Sequence, residues 1–222
     1  MWLTFKNQHE KAGKNVQKEW AWILKMTEGT IYKFIIDPML SGLRTATAGM
    51  IPDQLHIIDI ACGTGALAFE LSKNAAHVTA IDASESMIIT ANQAKNKLGV
   101  QNVTFRVANA TDLSPFNTNE FDVATISLAI HQFDTQTGLQ ILEELKRIAR
   151  EILIVDYASP LPANYYRHLT LFIEWLAGGD HFRNFKTYQE FGGIDTYLEQ
   201  LELNAINKSI KGKGIFSLVL CK

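Results

Sequence analysis

Hydrophobic and polar residues follow two different periods along this chain, and the two periods alternate from about residue 55 onward. Short apolar runs with the length and composition of strands lie at 56–60, 77–82, 103–107, 121–128 and 152–157. Between these runs, apolar residues recur every three or four positions, which is typical of helices with one buried face. Ser84 and Gly99 are the predicted N-cap and C-terminal glycine of the helix after the second run. Strands that alternate with helices predict an α/β domain with a mainly parallel sheet, wound on both faces.

The tail of the chain departs from this alternation. Residues 204–210 and 215–221 read as two strands joined by a Lys-Gly-Lys-Gly turn, which predicts a hairpin with the last strand antiparallel to its neighbour. The sheet should therefore have seven strands. Between the fifth strand and the hairpin, at about 160–202, we expect an insertion of aromatic helices. The glycine pair Gly178-Gly179 predicts a loop within it, followed by a short helix at about 187–191.

The first 52 residues precede the sheet and contain apolar residues at the spacing of amphipathic helices. They predict an N-terminal helical cap at 1–52, followed by the sheet domain at 53–222. No internal repeat interrupts this order.

The stretch at 56–73, HIIDIACGTGALAFELSK, reads as a strand, a glycine turn and a helix. Small residues suit this turn because the backbone bends sharply there and a ligand can approach the start of the helix. Gly63-x-Gly65-x-x-Ala68 satisfies a permissive dinucleotide fingerprint, but S-adenosylmethionine is the other candidate ligand. Asp59 inside the strand, Asp82 at the end of the second strand and the terminal hairpin favour S-adenosylmethionine.

Several stretches carry a family resemblance, namely IDIACGTG (58–65), AIDASESMI (80–88), ANATDLSPF (108–116), FDVATISLAIHQF (121–133) and the hairpin. In this order they resemble the class I S-adenosylmethionine-dependent methyltransferases, specifically the small-molecule branch that includes quinone-biosynthesis enzymes. The resemblance implies a Rossmann-like doubly wound, mainly parallel sheet of seven strands with an antiparallel C-terminal hairpin.

The same resemblance implies a set of cofactor-binding residues: Tyr32 as a lid, Asp59, Ala61, Cys62, Gly63 and Gly65 at the methionine end, Asp82 at the ribose hydroxyls, Ala83 and Met87 against ribose and adenine, Asn109 and Ala110 at the adenine edge, and Ser127 beside the methyl group. Ala61 stands where the family most often has glycine, and Asn109 where it usually has aspartate. Cys62 without a partner base is better explained as a small filler than as a nucleophile.

Residues for chemistry on the acceptor are fewer. His131, just beyond the fourth strand, is the candidate catalytic base, although a satisfied surface histidine is the alternative interpretation. Tyr157, Tyr166 and Trp175 are the candidate acceptor-pocket residues, and their rings would suit a flat or apolar molecule. These aromatic residues could equally serve only to pack the insertion against the sheet.

Composition narrows the partners. A formal net charge of −2 over 222 residues gives no general reason to expect nucleic acid, and no apolar run reaches the length of about 20 residues that a membrane span needs. Two cysteines are too few for a disulfide framework or a cysteine metal site, so we expect no metal and a cytoplasmic location. The oligomeric state, monomer or homodimer, stays open.

The resulting hypothesis is methyl transfer from S-adenosylmethionine to a small, apolar or aromatic acceptor. Two alternatives from other classes remain at this point. One is a cofactor-binding regulator without catalysis, and the other is an NAD(P)-dependent oxidoreductase that uses the same glycine turn.

Overall fold

The computed structural model describes residues 37–222. Of the predicted N-terminal cap at 1–52, only its last part falls in this range, so the rest of the cap and the lid candidate Tyr32 lie outside the described residues. Within 37–222, no helix combines the length and the apolar character that a membrane crossing requires.

Seven helices and seven strands follow one another in the described residues. In chain order they are α1 Asp37–Ala48, β1 His56–Ile60, α2 Ala66–Leu71, β2 His77–Asp82, α3 Glu85–Leu98, β3 Val103–Val107, β4 Phe121–Ser127, α4 Thr135–Ile148, β5 Ala149–Tyr157, α5 Tyr165–Ala177, α6 Gly179–Phe191, α7 Ile194–Gln200, β6 Ala205–Lys211 and β7 Phe216–Cys221. Short 3₁₀ turns lie at Ile130–Gln132 and Gly212–Gly214.

All seven strands form one sheet in the order β3-β2-β1-β4-β5-β7-β6. Strands β1 to β5 pair in parallel, whereas β7 runs antiparallel to both β5 and β6. The predicted fold class is therefore confirmed, including the terminal hairpin. The strand order reverses between β1 and β4, and ligands of open α/β sheets bind beyond the carboxyl ends of the strands at such a point.

Burial of the central strands explains their continuous apolar sequences. From Ile152 to Tyr157, every residue of β5 is buried, as expected of a strand that helices cover on both faces. The edge strand β6 is mostly exposed and carries Lys208 and Lys211, charges that discourage pairing with another strand.

Local signals at helix ends are confirmed at α3. The Ser84 side chain accepts a hydrogen bond from the Met87 backbone N–H, and Gly99 ends the helix in the left-handed region at φ +70°. Both residue types are favoured at these positions because they satisfy backbone groups that the helix leaves unpaired.

The prediction of a short helix at about 187–191 was wrong. Helix α6 has 13 residues and already begins at Gly179. The chain breaks only at Gly178, which has φ +119°, and Phe182, Phe185 and Tyr188 then recur at helical spacing. Two successive glycines had suggested a longer loop than the chain forms.

Candidate functional site

The turn between β1 and α2 is tied to the end of β2 by backbone hydrogen bonds. The Gly63 N–H donates to Asp82 Oδ2 at 2.8 Å, and the Ser84 N–H donates to Asp82 Oδ1 at 2.8 Å. The Cys62 N–H donates to the Ile81 carbonyl at 3.0 Å. Asp82 therefore fixes the glycine turn and the start of α3 relative to each other.

The two glycines of this turn serve different purposes. Both have positive φ, +53° at Gly63 and +83° at Gly65. A Cβ on Gly65 would lie 2.5 Å from the Phe105 ring, so this glycine is needed for packing. A Cβ on Gly63 would meet no atom of residues 37–222 within 4 Å, so among the described residues the backbone here borders space that a ligand can occupy.

Ala61 has φ +54°, which places a non-glycine residue in the left-handed region at the first position of the turn. That conformation costs roughly 1–2 kcal/mol for a residue with a Cβ. The structure therefore gives a physical reason for the glycine that the resemblance led us to expect at this position.

Asp59 is buried in β1, with 1 % of its surface exposed. Its Oδ1 accepts a hydrogen bond from Thr125 Oγ1 at 2.7 Å, while Oδ2 has no partner among the described residues. Burial raises the pKa of this carboxyl to about 7. The hydrogen bond from Thr125 lowers the pKa, and the nearby charge of Asp82 raises it further. An unpaired, buried carboxylate oxygen beside a glycine turn is suited to a cationic ligand group.

Cys62 does not have the properties of a nucleophile. Burial, followed by the charges of Asp59 and Asp82, raises the pKa of its thiol, so the thiolate is disfavoured at neutral pH. Its sulfur lies 3.7 Å from the Gly63 carbonyl oxygen. This environment agrees with the interpretation of Cys62 as a small filler in the turn.

Beyond β2 and β3, the predicted cofactor residues lie at the surface. Ala83 and Asn109 are exposed, Ala110 is half-buried, and Met87 is 42 % exposed. Val107, which pairs with Asp82 across the sheet, is 52 % exposed and was not singled out from the sequence. Its place at the end of the β3 alternation, opposite the predicted ribose-binding residue, was the signal that could have identified it.

The loop after β3 is held from two sides. The Ala108 N–H donates to the Asp82 carbonyl at 3.1 Å, which ties the loop to the end of β2. The Asn109 Oδ1 accepts the N–H of Thr111 at 3.1 Å, so this side chain stabilises the turn that carries it. The structure thus brings Asp82, Asn109 and the glycine turn to neighbouring strand ends.

Arg147 of α4 fixes the far part of the same loop. Its guanidinium donates to the carbonyls of Leu113 and Phe116, both at 2.8 Å. Glu144, one turn earlier, accepts the Leu113 N–H at 2.9 Å and pairs with Arg147 at 2.9 Å. Hydrogen bonding to Arg147 is the main cause of the lowered pKa of Glu144, so both side chains are charged at neutral pH.

A second polar group lies at the carboxyl ends of β4 and β5. Ser127, the last residue of β4, is half-buried. His131, in the 3₁₀ turn that follows, is only 2 % exposed, and its Nδ1 lies 2.6 Å from Asp156 Oδ1. The His131 backbone N–H also donates to Asp156 Oδ2 at 3.2 Å. The buried Asp156 therefore fixes both the position and the ring orientation of His131.

The inserted helices complete this group. Glu174 of α5 places its Oε2 3.7 Å from His131 Nε2 and 2.6 Å from the Nε2 of His181 in α6. The other oxygen of Glu174 accepts a hydrogen bond from the Tyr157 hydroxyl at 2.7 Å. We refer to His131, Asp156, Tyr157, Glu174 and His181 as the buried polar cluster.

Within the buried polar cluster, charges and hydrogen bonds shift the pKa values of His131 and Glu174 in the direction opposite to burial. Burial would lower the pKa of His131, but Asp156 and Glu174 raise it overall. Burial would raise the pKa of Glu174, but hydrogen bonds from His181 and Tyr157 and the charge of His131 lower it. Burial, and then Glu174, raise the pKa of Tyr157 well above its ordinary value, so its hydroxyl remains a donor.

Two of the three predicted acceptor residues lie together. Tyr157 and Tyr166 line a cavity of about 200 Å³ that also borders the Gly212–Gly214 turn and the start of β7. Trp175 does not line this cavity, and its ring stacks on Phe172 with a centroid distance of 6.1 Å.

Sequence reasoning missed Glu174 and His181. Glu174 is the only acidic residue of α5 and lies in the apolar stretch LTLFIEWLA, which was a usable signal for a buried charge. His181 gave no comparable signal, because its role depends on contacts with residues distant in the sequence.

The sequence matches the family described as a methyltransferase domain over residues 51–209. Among curated relatives, it is 34 % identical over 106 residues to a demethylmenaquinone methyltransferase of Clavibacter sepedonicus, which covers 47 % of this chain and 42 % of that protein. It is 36 % identical over 111 residues to the ubiquinone/menaquinone biosynthesis C-methyltransferase UbiE of Rhizobium rhizogenes, covering 45 % and 43 %. The matches thus span less than half the length of these two relatives.

A solved structure with a similar fold is the magnesium protoporphyrin IX methyltransferase of Synechocystis PCC 6803, determined with bound SAH. The TM-score is 0.63 at 17 % identity, and the superposition covers 94 % of this chain and 98 % of that one. At this level of identity, the comparison supports the fold alone.

Proposed function

Because this chain belongs to the methyltransferase-domain family, we propose that it binds S-adenosylmethionine and catalyses methyl transfer to a small apolar or aromatic acceptor. The observation that carries the proposal is the arrangement of two carboxylates about one glycine turn. Asp59 precedes the turn with an unpaired buried oxygen, and Asp82 is hydrogen-bonded to Gly63 within it.

The residues fit this cofactor at both ends of the turn. The amino-acid end of S-adenosylmethionine carries an ammonium group, which suits the unpaired Oδ2 of Asp59. Each oxygen of Asp82 accepts one backbone N–H, and a carboxylate offers about four acceptor sites, so two remain for ribose hydroxyls. The open space beside Gly63 lets a ligand lie close to the backbone between them.

When bound, S-adenosylmethionine supplies a methyl group on a positively charged sulfur, so the group to be transferred is already activated. The residues of the chain then align the two reactants and exclude water. We assign Ala83, Met87, Asn109 and Ala110 to the adenosine side of this cleft and Ser127 to its floor. Exposed Val107 is added to the adenosine side because it lies opposite Asp82.

His131 remains the proposed catalytic residue for acceptors that must lose a proton. Asp156 holds its Nδ1, which leaves Nε2 as the nitrogen for proton exchange. That atom faces Glu174 in an almost fully buried position. A direct role as a base therefore requires α5 or α6 to move when the acceptor enters.

Aromatic rings near the end of β5 support a flat, apolar acceptor. Tyr157 and Tyr166 border one cavity, and Trp175 lies on the same inserted helix as Tyr166. Aromatic walls favour flat, apolar ligands. The two relatives are named as a demethylmenaquinone methyltransferase and as a C-methyltransferase of ubiquinone and menaquinone biosynthesis. These names also support an aromatic acceptor for this chain.

Methyl transfer is tested with S-adenosylmethionine carrying a labelled methyl group and a panel of phenols, quinols and aliphatic amines. We expect turnover of at least one aromatic acceptor. Asp82→Ala should lower kcat/KM for the cofactor at least about tenfold, because it removes hydrogen bonds to a charged group worth roughly 1.5–3 kcal/mol each. Asp53→Ala is the matched control, since Asp53 is an exposed carboxylate before the opposite end of β1.

Two results would contradict the proposal. Turnover of aliphatic amines alone would contradict the proposed aromatic acceptor, while methyl transfer itself would be supported. Saturable cofactor binding without turnover of any acceptor would favour a regulator that binds the cofactor and does not catalyse.

A further inference from the structure

Three nitrogen and oxygen atoms of the buried polar cluster converge on one point. They are His131 Nε2, Glu174 Oε2 and His181 Nε2, and they all lie within 4.8 Å of one another. They come from the turn after β4 and from α5 and α6, so the tertiary fold alone brings them together.

The orientation of His131 is the first reason to examine this point as a cation site. The carboxylate of Asp156 lies 2.6 Å from Nδ1, which favours the tautomer with its proton on Nδ1. In this tautomer Nε2 carries a lone pair, and it lies 3.7 Å from Glu174 Oε2, another atom with lone pairs. Two lone pairs that face each other in a buried site require a proton or a metal ion between them.

Charge is the second reason. Asp156 and Glu174 are two acidic side chains that are 0 % and 4 % exposed. A divalent cation bound beside them would compensate negative charge in a buried position.

We propose that His131, Glu174 and His181 bind one divalent transition-metal ion, with Zn²⁺ as the preferred ion and Asp156 as the residue that orients His131. Two histidines and one glutamate form a donor set that zinc uses in sites with an open fourth position. A carboxylate that accepts the second N–H of a metal-binding histidine is the usual support for such a ligand.

Two of the three distances between ligand atoms are close to those that zinc requires, and the third, between His131 Nε2 and His181 Nε2, is at most 4.8 Å. Ligand atoms in a tetrahedral zinc site lie about 3.3–3.5 Å apart, given zinc–ligand bonds of about 2.0–2.2 Å. The His131–Glu174 distance is 3.7 Å, and the His181–Glu174 distance is 2.6 Å in a direct hydrogen bond. For the His181–Glu174 pair, binding therefore requires an increase of less than an ångström, and the His181 side chain is 25 % exposed on its solvent side.

The exposed edge of His181 also gives the ion a path from solvent. The other oxygen of Glu174 is held by Tyr157, so this carboxylate would bind through Oε2 alone. In this arrangement His131 Nε2 is a metal ligand, so the role of His131 as a base would belong only to the metal-free protein. The fourth coordination position would instead be available to water or to an acceptor oxygen.

The test uses the full chain, stripped of metal with a chelator and titrated with Zn²⁺ in a calorimeter. Co²⁺ titrated in parallel reports tetrahedral coordination through its visible absorption. We expect one ion per chain with a Kd below about 1 μM, and a loss of affinity of at least about 100-fold in His181→Ala. Glu174→Gln, which keeps the shape of the side chain, should weaken binding to a similar degree.

His168→Ala is the matched control, because His168 is an exposed histidine on the same helix as Glu174. It should bind Zn²⁺ like the wild type. Circular dichroism checks that each variant is folded.

Absence of saturable Zn²⁺ binding to the wild type would overturn the proposal. Equal affinity of the wild type, His181→Ala and Glu174→Gln would assign the ion elsewhere and overturn it too. Both outcomes are independent of S-adenosylmethionine binding.

Discussion

At the scale of single residues, the turn after β1 combines backbone strain with a buried charge. Ala61 is in the left-handed region, and Asp59 has an oxygen without a partner among the described residues. Both features destabilise the chain in the absence of a ligand. Features of this kind concentrate at functional sites, where a bound group compensates for them.

Ala61→Gly should stabilise the protein by roughly 0.5–1 kcal/mol. Glycine removes the cost of a Cβ at φ +54°, and part of that gain is offset by the greater entropy of glycine in the unfolded chain. Urea denaturation measures the change. Ala68→Gly is the control, because Ala68 lies buried in helix α2 and its replacement should destabilise. A denaturation midpoint for Ala61→Gly at or below that of the wild type would contradict the strain argument.

Asp59 predicts a pH dependence of stability. Its pKa is about 7 in the folded chain and about 4 in the unfolded chain, so between these values the folded state holds a proton that the unfolded state has released. The free energy of unfolding should therefore fall as the pH rises from about 4 to 7, by up to about 1.4 kcal/mol per pH unit from this group.

Asp59→Asn should remove this contribution and make the protein more stable than the wild type at pH 7, measured without cofactor. The amide keeps the shape of the side chain and cannot ionise. Chemical denaturation at pH 5, 6 and 7 follows the difference between the two proteins. A difference that stays constant over this range would show that Asp59 does not titrate there.

At the scale of elements, α4 holds the loop after β3 through Arg147, and this loop carries the proposed adenosine-binding residues. This side chain bonds to two carbonyls of the loop that carries Asn109 and Ala110. The loop has no regular secondary structure between β3 and β4, so these contacts, those of Glu144 and the hydrogen bond from Ala108 to Asp82 hold it in place.

Arg147→Met should weaken cofactor binding about three- to tenfold and lower stability by about 1–2 kcal/mol, because two carbonyls lose their donors at a partly exposed site. Calorimetric titration and urea denaturation measure the two effects. Arg150→Met is the control, since Arg150 is 69 % exposed and lies 3.7 Å from its partner Asp122. Unchanged cofactor affinity in Arg147→Met would mean that the loop keeps its position without the arginine.

Elements with strong local signals could be predicted from the sequence. Ser84 and Gly99 identified the ends of α3, and the apolar run from Ile152 identified β5. Helix α6 could not be delimited, because a glycine pair gives no local indication of which residue breaks the chain. Such a choice depends on packing, here on the burial of Phe185 and Tyr188.

At the scale of the whole molecule, two groups of candidate functional residues lie at different strand ends of the sheet. The carboxyl ends of β1 to β3 carry the glycine turn, Asp82 and the loop after β3, and their order along the chain made them recognisable in advance. The carboxyl ends of β4 and β5 carry the buried polar cluster. Its members come from distant segments, so only the fold shows that Glu174 and His181 meet His131.

The central claim is that Asp82 and the glycine turn form an S-adenosylmethionine site, and equilibrium titration of the cofactor tests it most directly. We expect saturable binding of one S-adenosylmethionine per chain to the wild type and to Asp53→Ala. Asp82→Ala should raise the Kd at least about tenfold, because it removes the proposed hydrogen bonds between the Asp82 carboxylate and the ribose hydroxyls. No saturable binding to the wild type, or equal Kd values for the wild type and Asp82→Ala, would contradict it.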